Sequence, residues 1–227
     1  MRHIGFSVLF CIVLAATVNG ETIAVWNFND AISGVTGGEQ EFLVDRGSGS
    51  MASDFILSNI GNTSGSTLNS NSGDSAGLAL RLRSSANNGN SLTWNVSTEG
   101  LDSIGISFAI KRTSTGFGDN QFLHSVDSGV SWTSYGDSFH PTTSFSLQSF
   151  DLSGILGLNN NPNAGFRILF DGASSAMGNN RIDNLVVSGS PAVPPVSMPV
   201  PESSTIALTT AGLAGVFLVR RYKSNRG

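Results

Sequence analysis

Between residues 22 and 189 the apolar positions recur with a period of two. Ile104, Ile106, Phe108 and Ile110 alternate with Gly105, Ser107, Ala109 and Lys111. On an extended backbone this puts all four large apolar side chains on one face. Leu78, Leu80 and Leu82 alternate in the same way with Ala79, Arg81 and Arg83, as do Leu92, Trp94 and Val96 with Thr93 and Asn95. The same reading predicts strands over 23–28, 55–59, 121–125, 145–150, 166–170 and 181–187, separated by turn-forming clusters such as 85–90 and 159–163. About nine short strands with no amphipathic helix between them predict an all-β fold, a two-sheet antiparallel sandwich of jelly-roll type. Residues 61–77 are nearly all Asn, Ser, Thr and Gly, which predicts a long mobile loop.

The two ends break this pattern. Residues 1–20 read as a secretory signal, with Arg2 at the start, an apolar run over 4–16 and small residues at Asn19 and Gly20 before Glu21; an uncleaved membrane anchor is the alternative. A β-sandwich domain is then expected over 21–189. In 190–199 prolines crowd together, an extended linker. Residues 206–219 are an uncharged run that ends at Arg220 and Arg221. As a helix it would rise only about 21 Å, against a hydrocarbon core of roughly 30 Å. A marginal or tilted span is expected, with the basic end held on the cytoplasmic side.

Composition supports strands and turns: of 227 residues 12% are charged and 39% hydrophobic, with 27 glycines. Residues 21–199 hold 15 acids against 7 bases, a net of −8. Such a body lacks the clustered cations that nucleic acid demands, so nucleic acid is excluded as a partner. The only cysteine, Cys11, lies in the N-terminal apolar run, so a mature chain would have neither a disulfide nor a thiolate metal site. Only His124 and His140 remain as imidazoles, and no zinc-binding spacing or nucleophile elbow is present. Scattered acids such as Glu99, Asp102, Asp119 and Asp137 are the residual candidates for glycoside cleavage, and a noncatalytic protein is the expectation.

The order of spacer, short motif, apolar run and arginine cluster resembles a known sorting signal. Val200, Pro201 and Glu202, then Ser203-Ser204-Thr205 and finally Arg220 and Arg221, resemble the PEP-CTERM tail, with Ser203 where that motif has its second proline. The resemblance covers about 25 residues at the end of the chain. It implies an exosortase partner, transient or stable anchoring in the inner membrane through the C-terminal helix, and display at the cell surface or in the matrix of a bacterium that makes extracellular polysaccharide. An ordinary single-pass anchor is the alternative.

Two further stretches carry resemblances. Ser125-Val126-Asp127-Ser128-Gly129-Val130-Ser131-Trp132 is similar to the Asp-box, a structural turn in which Ser125, Asp127, Gly129 and Trp132 are the defining positions. Residues 180–187 resemble the final strand of MAM-like and carbohydrate-binding jelly rolls, and residues 25–30 resemble their first. That resemblance implies that the first and last strands are neighbours, which would bring Asn29 or Asp30 near Asp183 as oxygen ligands for a structural calcium ion. The alternative has Asp183 capping a turn or pairing with Arg181 or Arg167. No other cofactor is expected.

The leading expectation is therefore a secreted noncatalytic surface or matrix protein sorted by its tail. The second is a jelly-roll carbohydrate-binding module, with extracellular polysaccharide as partner and Trp26, Trp94, Trp132 and Tyr135 as candidate sugar-stacking residues.

Overall fold

The computed structural model describes residues 20–30, 35–36, 39–71 and 73–193. The signal segment up to residue 19, the linker from residue 194, the sorting motif and the 206–219 helix lie outside the described residues. Among the described residues there is no α-helix, and two antiparallel sheets of seven strands each form a sandwich of jelly-roll type. The first sheet contains β1 (Glu21–Trp26), β4 (Arg46–Gly47), β6 (Ile60–Ser64), β7 (Leu78–Arg83), β9 (Leu101–Arg112), β12 (Ser146–Asp151) and β14 (Asn179–Pro191). The second contains β2 (Val35–Thr36), β3 (Glu39–Phe42), β5 (Ser50–Ser53), β8 (Ser91–Val96), β10 (Asp119–Ser125), β11 (Thr133–Ser134) and β13 (Ala164–Asp171).

The alternation read from the sequence decides which face each strand buries. Ile104, Ile106, Phe108 and Ile110 of β9, Leu80 and Leu82 of β7, Leu92 and Trp94 of β8, and Phe166 and Ile168 of β13 all enter the core. Phe122 of β10 and Phe150 of β12 stack across the two sheets, with ring centroids 4.0 Å apart and planes 11° from parallel. Offset aromatic contacts of this kind add to the area they bury.

The long strand β14 organises the first sheet. Its one edge pairs with β9, and its other edge is shared by β7 and β1, so the first and last strands of the sandwich are neighbours. The β9 register jumps between Asp183 and Val186, where Asn184 takes a φ of 50°. Asparagine tolerates this left-handed conformation because its short polar side chain bonds locally.

Two predicted elements differ. Residues 55–59 form a short 3-10 turn, Leu57–Asn59, rather than a strand. Phe55 is driven into the core against Phe117 and Phe170, at 5.4 and 5.5 Å, while Ile56 and Leu57 remain exposed. The 61–77 segment is not a free loop along its whole length. Its first residues pair with β7, and the Asn184 side chain donates to the carbonyls of Ser66 and Leu68. Asn69 reaches back to the Asn184 carbonyl and to Ser107 Oγ.

Candidate functional site

The outer face of the second sheet is polar because every second residue of its strands points away from the core. Register places these outward residues in a row: Leu123 of β10 opposite Arg167 of β13, then Thr93 of β8, Ala52 of β5 and Glu41 of β3. Arg167, Thr93, Ala52 and Glu41 of this row floor an open trough of about 420 Å³ whose lining also includes Glu39, Asp54 and Asn95. A shallower depression of about 310 Å³ shares Gly49, Ser50 and Asn95 with it and continues toward Ser97, Ser128 and Asn163.

Arg167 is the most constrained polar group in the trough. Its Nε donates to Thr93 Oγ1 at 3.0 Å, and its guanidinium lies 4.1 Å from the ring centre of Trp132. Stacking and one hydrogen bond hold the planar fork while its terminal nitrogens stay available as donors. Beside it, Asn95 Oδ1 is buried with no hydrogen-bond partner and faces Gly165, 2.7 Å from where a Cβ on that residue would sit. Asp54 is already engaged, its two oxygens accepting from the Ser91 N–H and Oγ.

Trp132 reaches this face through the turn that follows β10. Asp127 Oδ1 accepts from Ser125 Oγ at 2.6 Å and from the Ser131 N–H at 2.9 Å, and its Oδ2 accepts from Ser131 Oγ at 2.6 Å. These donors, with the Ser125 hydroxyl first, lower the Asp127 carboxyl to about 2. Gly129 has a φ of 86°, a left-handed conformation that suits glycine. Trp132 then lies over Gly165 of β13, where a Cβ would sit 3.4 Å from the indole.

The other proposed stacking residues are placed differently. Trp26 and Trp94 are fully buried, so neither offers a ring to a ligand; the inward positions of β1 and β8 claim them. Tyr135 packs partly against the core and donates its hydroxyl to the Asp151 carbonyl. His124 lies on β10, where burial holds its imidazole below its usual range. Glu99 bonds Ser97 in a turn at one end of the sandwich, and Asp119 opens β10 opposite Asp171.

The calcium candidates meet around the 61–77 segment. Asn29 Oδ1 accepts from the Leu78 N–H at 2.6 Å, and Asp183 Oδ2 accepts from the Ser66 N–H at 2.6 Å. A Cβ placed on Gly65 would lie 2.2 Å from the Ala76 carbonyl oxygen, 2.6 Å from Asp183 Oδ2 and 2.8 Å from the Leu78 carbonyl oxygen. These contacts leave Gly65 no room for a side chain, and among the described residues no three His, Cys, Asp or Glu side chains gather at one place, so a cation here would rest on Asp183, Asn29 and main-chain oxygens. Asp30 contributes only its carbonyl, which accepts from Asn62. Asp183 is fully buried, and desolvation, offset in part by the Ser66 and Asn184 N–H groups, raises its carboxyl to about 7. It makes no ion pair with Arg181 or Arg167.

The sequence reading missed the trough. Arg167, Thr93 and Asn95 were visible only as polar members of alternating runs; their alignment follows from strand register.

No protein-family model and no curated protein matches this chain. Solved structures similar to it include the xylan-binding domain CBM22-1 from Paenibacillus barcinonensis Xyn10C, at 12% identity and a TM-score of 0.46 over 78% of this chain and 100% of that one. A mutant of the family 29 carbohydrate-binding module CBM29-2 is similar at 14% identity and a TM-score of 0.42, over 79% of this chain and 94% of that one. A CBM4 structure is similar at 12% identity and a TM-score of 0.43, over 72% and 97%.

Proposed function

We propose that this chain is an exported noncatalytic protein whose sandwich binds a neutral polysaccharide segment in the trough across the second sheet. The supporting observation is Arg167, held by Thr93 and Trp132 with its terminal nitrogens free to donate, on an open and mostly polar floor. An extended polyhydroxylated chain both donates and accepts along its length, which such a floor can match. In this reading the tail bearing Val200, Pro201, Glu202, Arg220 and Arg221 is the address that exosortase reads, after a passage through the inner membrane by the 206–219 run. Asn29 and Asp183 with the Ala76 and Leu78 carbonyls hold a structural calcium ion that fastens the 61–77 segment to the first and last strands.

A glycan array probed with the full-length protein tests the trough. Saturable binding to a neutral glycan is expected, and Arg167→Ala, which removes both the fork and the Trp132 stack, should weaken it about tenfold or more. Silence on every neutral glycan would overturn this reading in favour of a purely structural matrix protein. Sorting is tested by fusing residues 190–227 to a secreted reporter. Release from the plasma membrane should require exosortase, and retention whether or not the enzyme is present would refute the sorting role.

A further inference from the structure

The bases of this acidic protein are not scattered. Of the 7 in residues 21–199, Arg81, Arg83, Lys111 and Arg181 stand on the outer face of the first sheet. Their apolar neighbours Leu80, Leu82, Ile110 and Ile182 point the other way, into the core. Register sets Arg181 directly opposite Lys111 on one side and directly opposite Arg81 on the other. Three cations therefore lie in one line across β9, β14 and β7, spaced by the strand separation of about 4.8 Å. Like charges in directly opposed positions cost stability, and a sheet that needed only solubility would have alternated their signs.

Nothing in the fold neutralises them. The one ion pair among the described residues is Arg46 with Asp74, on the same sheet but outside the row. Arg81 Nε and Arg83 Nε are buried without a hydrogen-bond partner. Arg83 bonds the Ser58 carbonyl, Arg181 reaches only its neighbour Asn179, and Lys111 Nζ sits 4.9 Å over the ring of Phe145. Asp183, two residues along β14 from Arg181, is buried and turned to the Ser66 and Asn184 N–H groups. On one side the row is bounded by the 65–69 segment, which covers Asp183, Asn184 and Ser107.

We propose that this row is a second binding site, on the opposite sheet from the trough, for a linear polysaccharide whose sugars carry carboxylates. A single chain with one negative charge per sugar can lie along the line and meet one cation per strand. The arginine forks match carboxylates by paired hydrogen bonds. A single line of cations bounded by the 65–69 segment suits a strand-like ligand better than a flat lipid surface.

The test is calorimetry of the full-length protein with a defined oligogalacturonate and an oligomannuronate, using the methyl ester of the former as an uncharged control. Binding to at least one acidic oligosaccharide is expected, weakening as salt is raised and absent for the ester. Arg181→Gln should lower affinity about tenfold or more while leaving the melting temperature unchanged or raising it, because it relieves the opposed charges. A double variant, R81Q with K111Q, gives a second reading, and Arg46→Gln, a cation of the same sheet that stands outside the row and is paired with Asp74, should leave binding unchanged. Absence of binding, equal binding of the ester, or indifference to Arg181→Gln and to the double variant would overturn the proposal. So would binding to phosphatidylglycerol vesicles without affinity for either oligosaccharide, which would assign the face to a membrane.

Discussion

Replacing Phe122 by alanine is expected to lower the stability of the sandwich by roughly 3–5 kcal/mol, the cost of removing a large buried aromatic and leaving a cavity. Phe122 is fully buried and stacks on Phe150 from the opposite sheet at 4.0 Å. It also lies 6.2 Å from Trp94 and 6.3 Å from Phe166, centroid to centroid. Its loss removes contacts on both layers at once, and neighbours fixed in two sheets cannot collapse into the space. The unfolding midpoint should fall by on the order of 10 °C. Leu147→Ala serves as the comparison, since Leu147 is 51% exposed on the edge strand β12 and should change stability by no more than about 0.5 kcal/mol. Urea unfolding of the two variants gives the measurement; comparable losses would mean that the aromatic stack does not join the sheets.

The second large effect concerns Asp183 and pH. In the folded protein its carboxyl is raised to about 7, mainly by burial, from an ordinary value of 3.8. Between those values the folded state binds the proton more tightly than the unfolded chain does, so unfolding becomes easier as pH rises. With calcium chelated, stability should be greatest near pH 4, decline up to about pH 7 and then level. Asp45, also raised by burial, pushes in the same direction, whereas Asp127, lowered to about 2, acts only below pH 4, where its contribution is lost on acidification. Calcium favours the ionised carboxylate, so adding the ion at pH 7 should raise the melting temperature, and Asp183→Asn should blunt both the pH slope and the calcium response. Equal unfolding curves at pH 7 with and without calcium would remove the metal role.

Much of the sandwich was legible because alternation reports burial directly. The strands around Leu80, Trp94, Phe108, Phe166 and Ile182 bury the face that their spacing assigns. The short strands β2, β3, β4, β5 and β11 were not predicted, being two to four residues long and held by pairing with neighbours rather than by a pattern of their own. Residues 55–59 misled for a related reason: an apolar run looks the same whether it forms a strand or anchors a turn by one aromatic. Trp132 stood in the sequence only as a defining position of its turn and a stacking candidate; its place against the Arg167 guanidinium comes from the fold.

Alternation along the chain was enough to assign which side chains each long strand buries and the polarity of the opposite faces, and composition to assign the acidic balance of the body. Only the tertiary structure decided which outward residues stand side by side. Arg167 meets Thr93, and Arg181 meets Arg81 and Lys111, through pairings between strands far apart in the chain. A period of two fixes the face on which a residue lies; register, set by the packing of the whole core, fixes its neighbour across the strand.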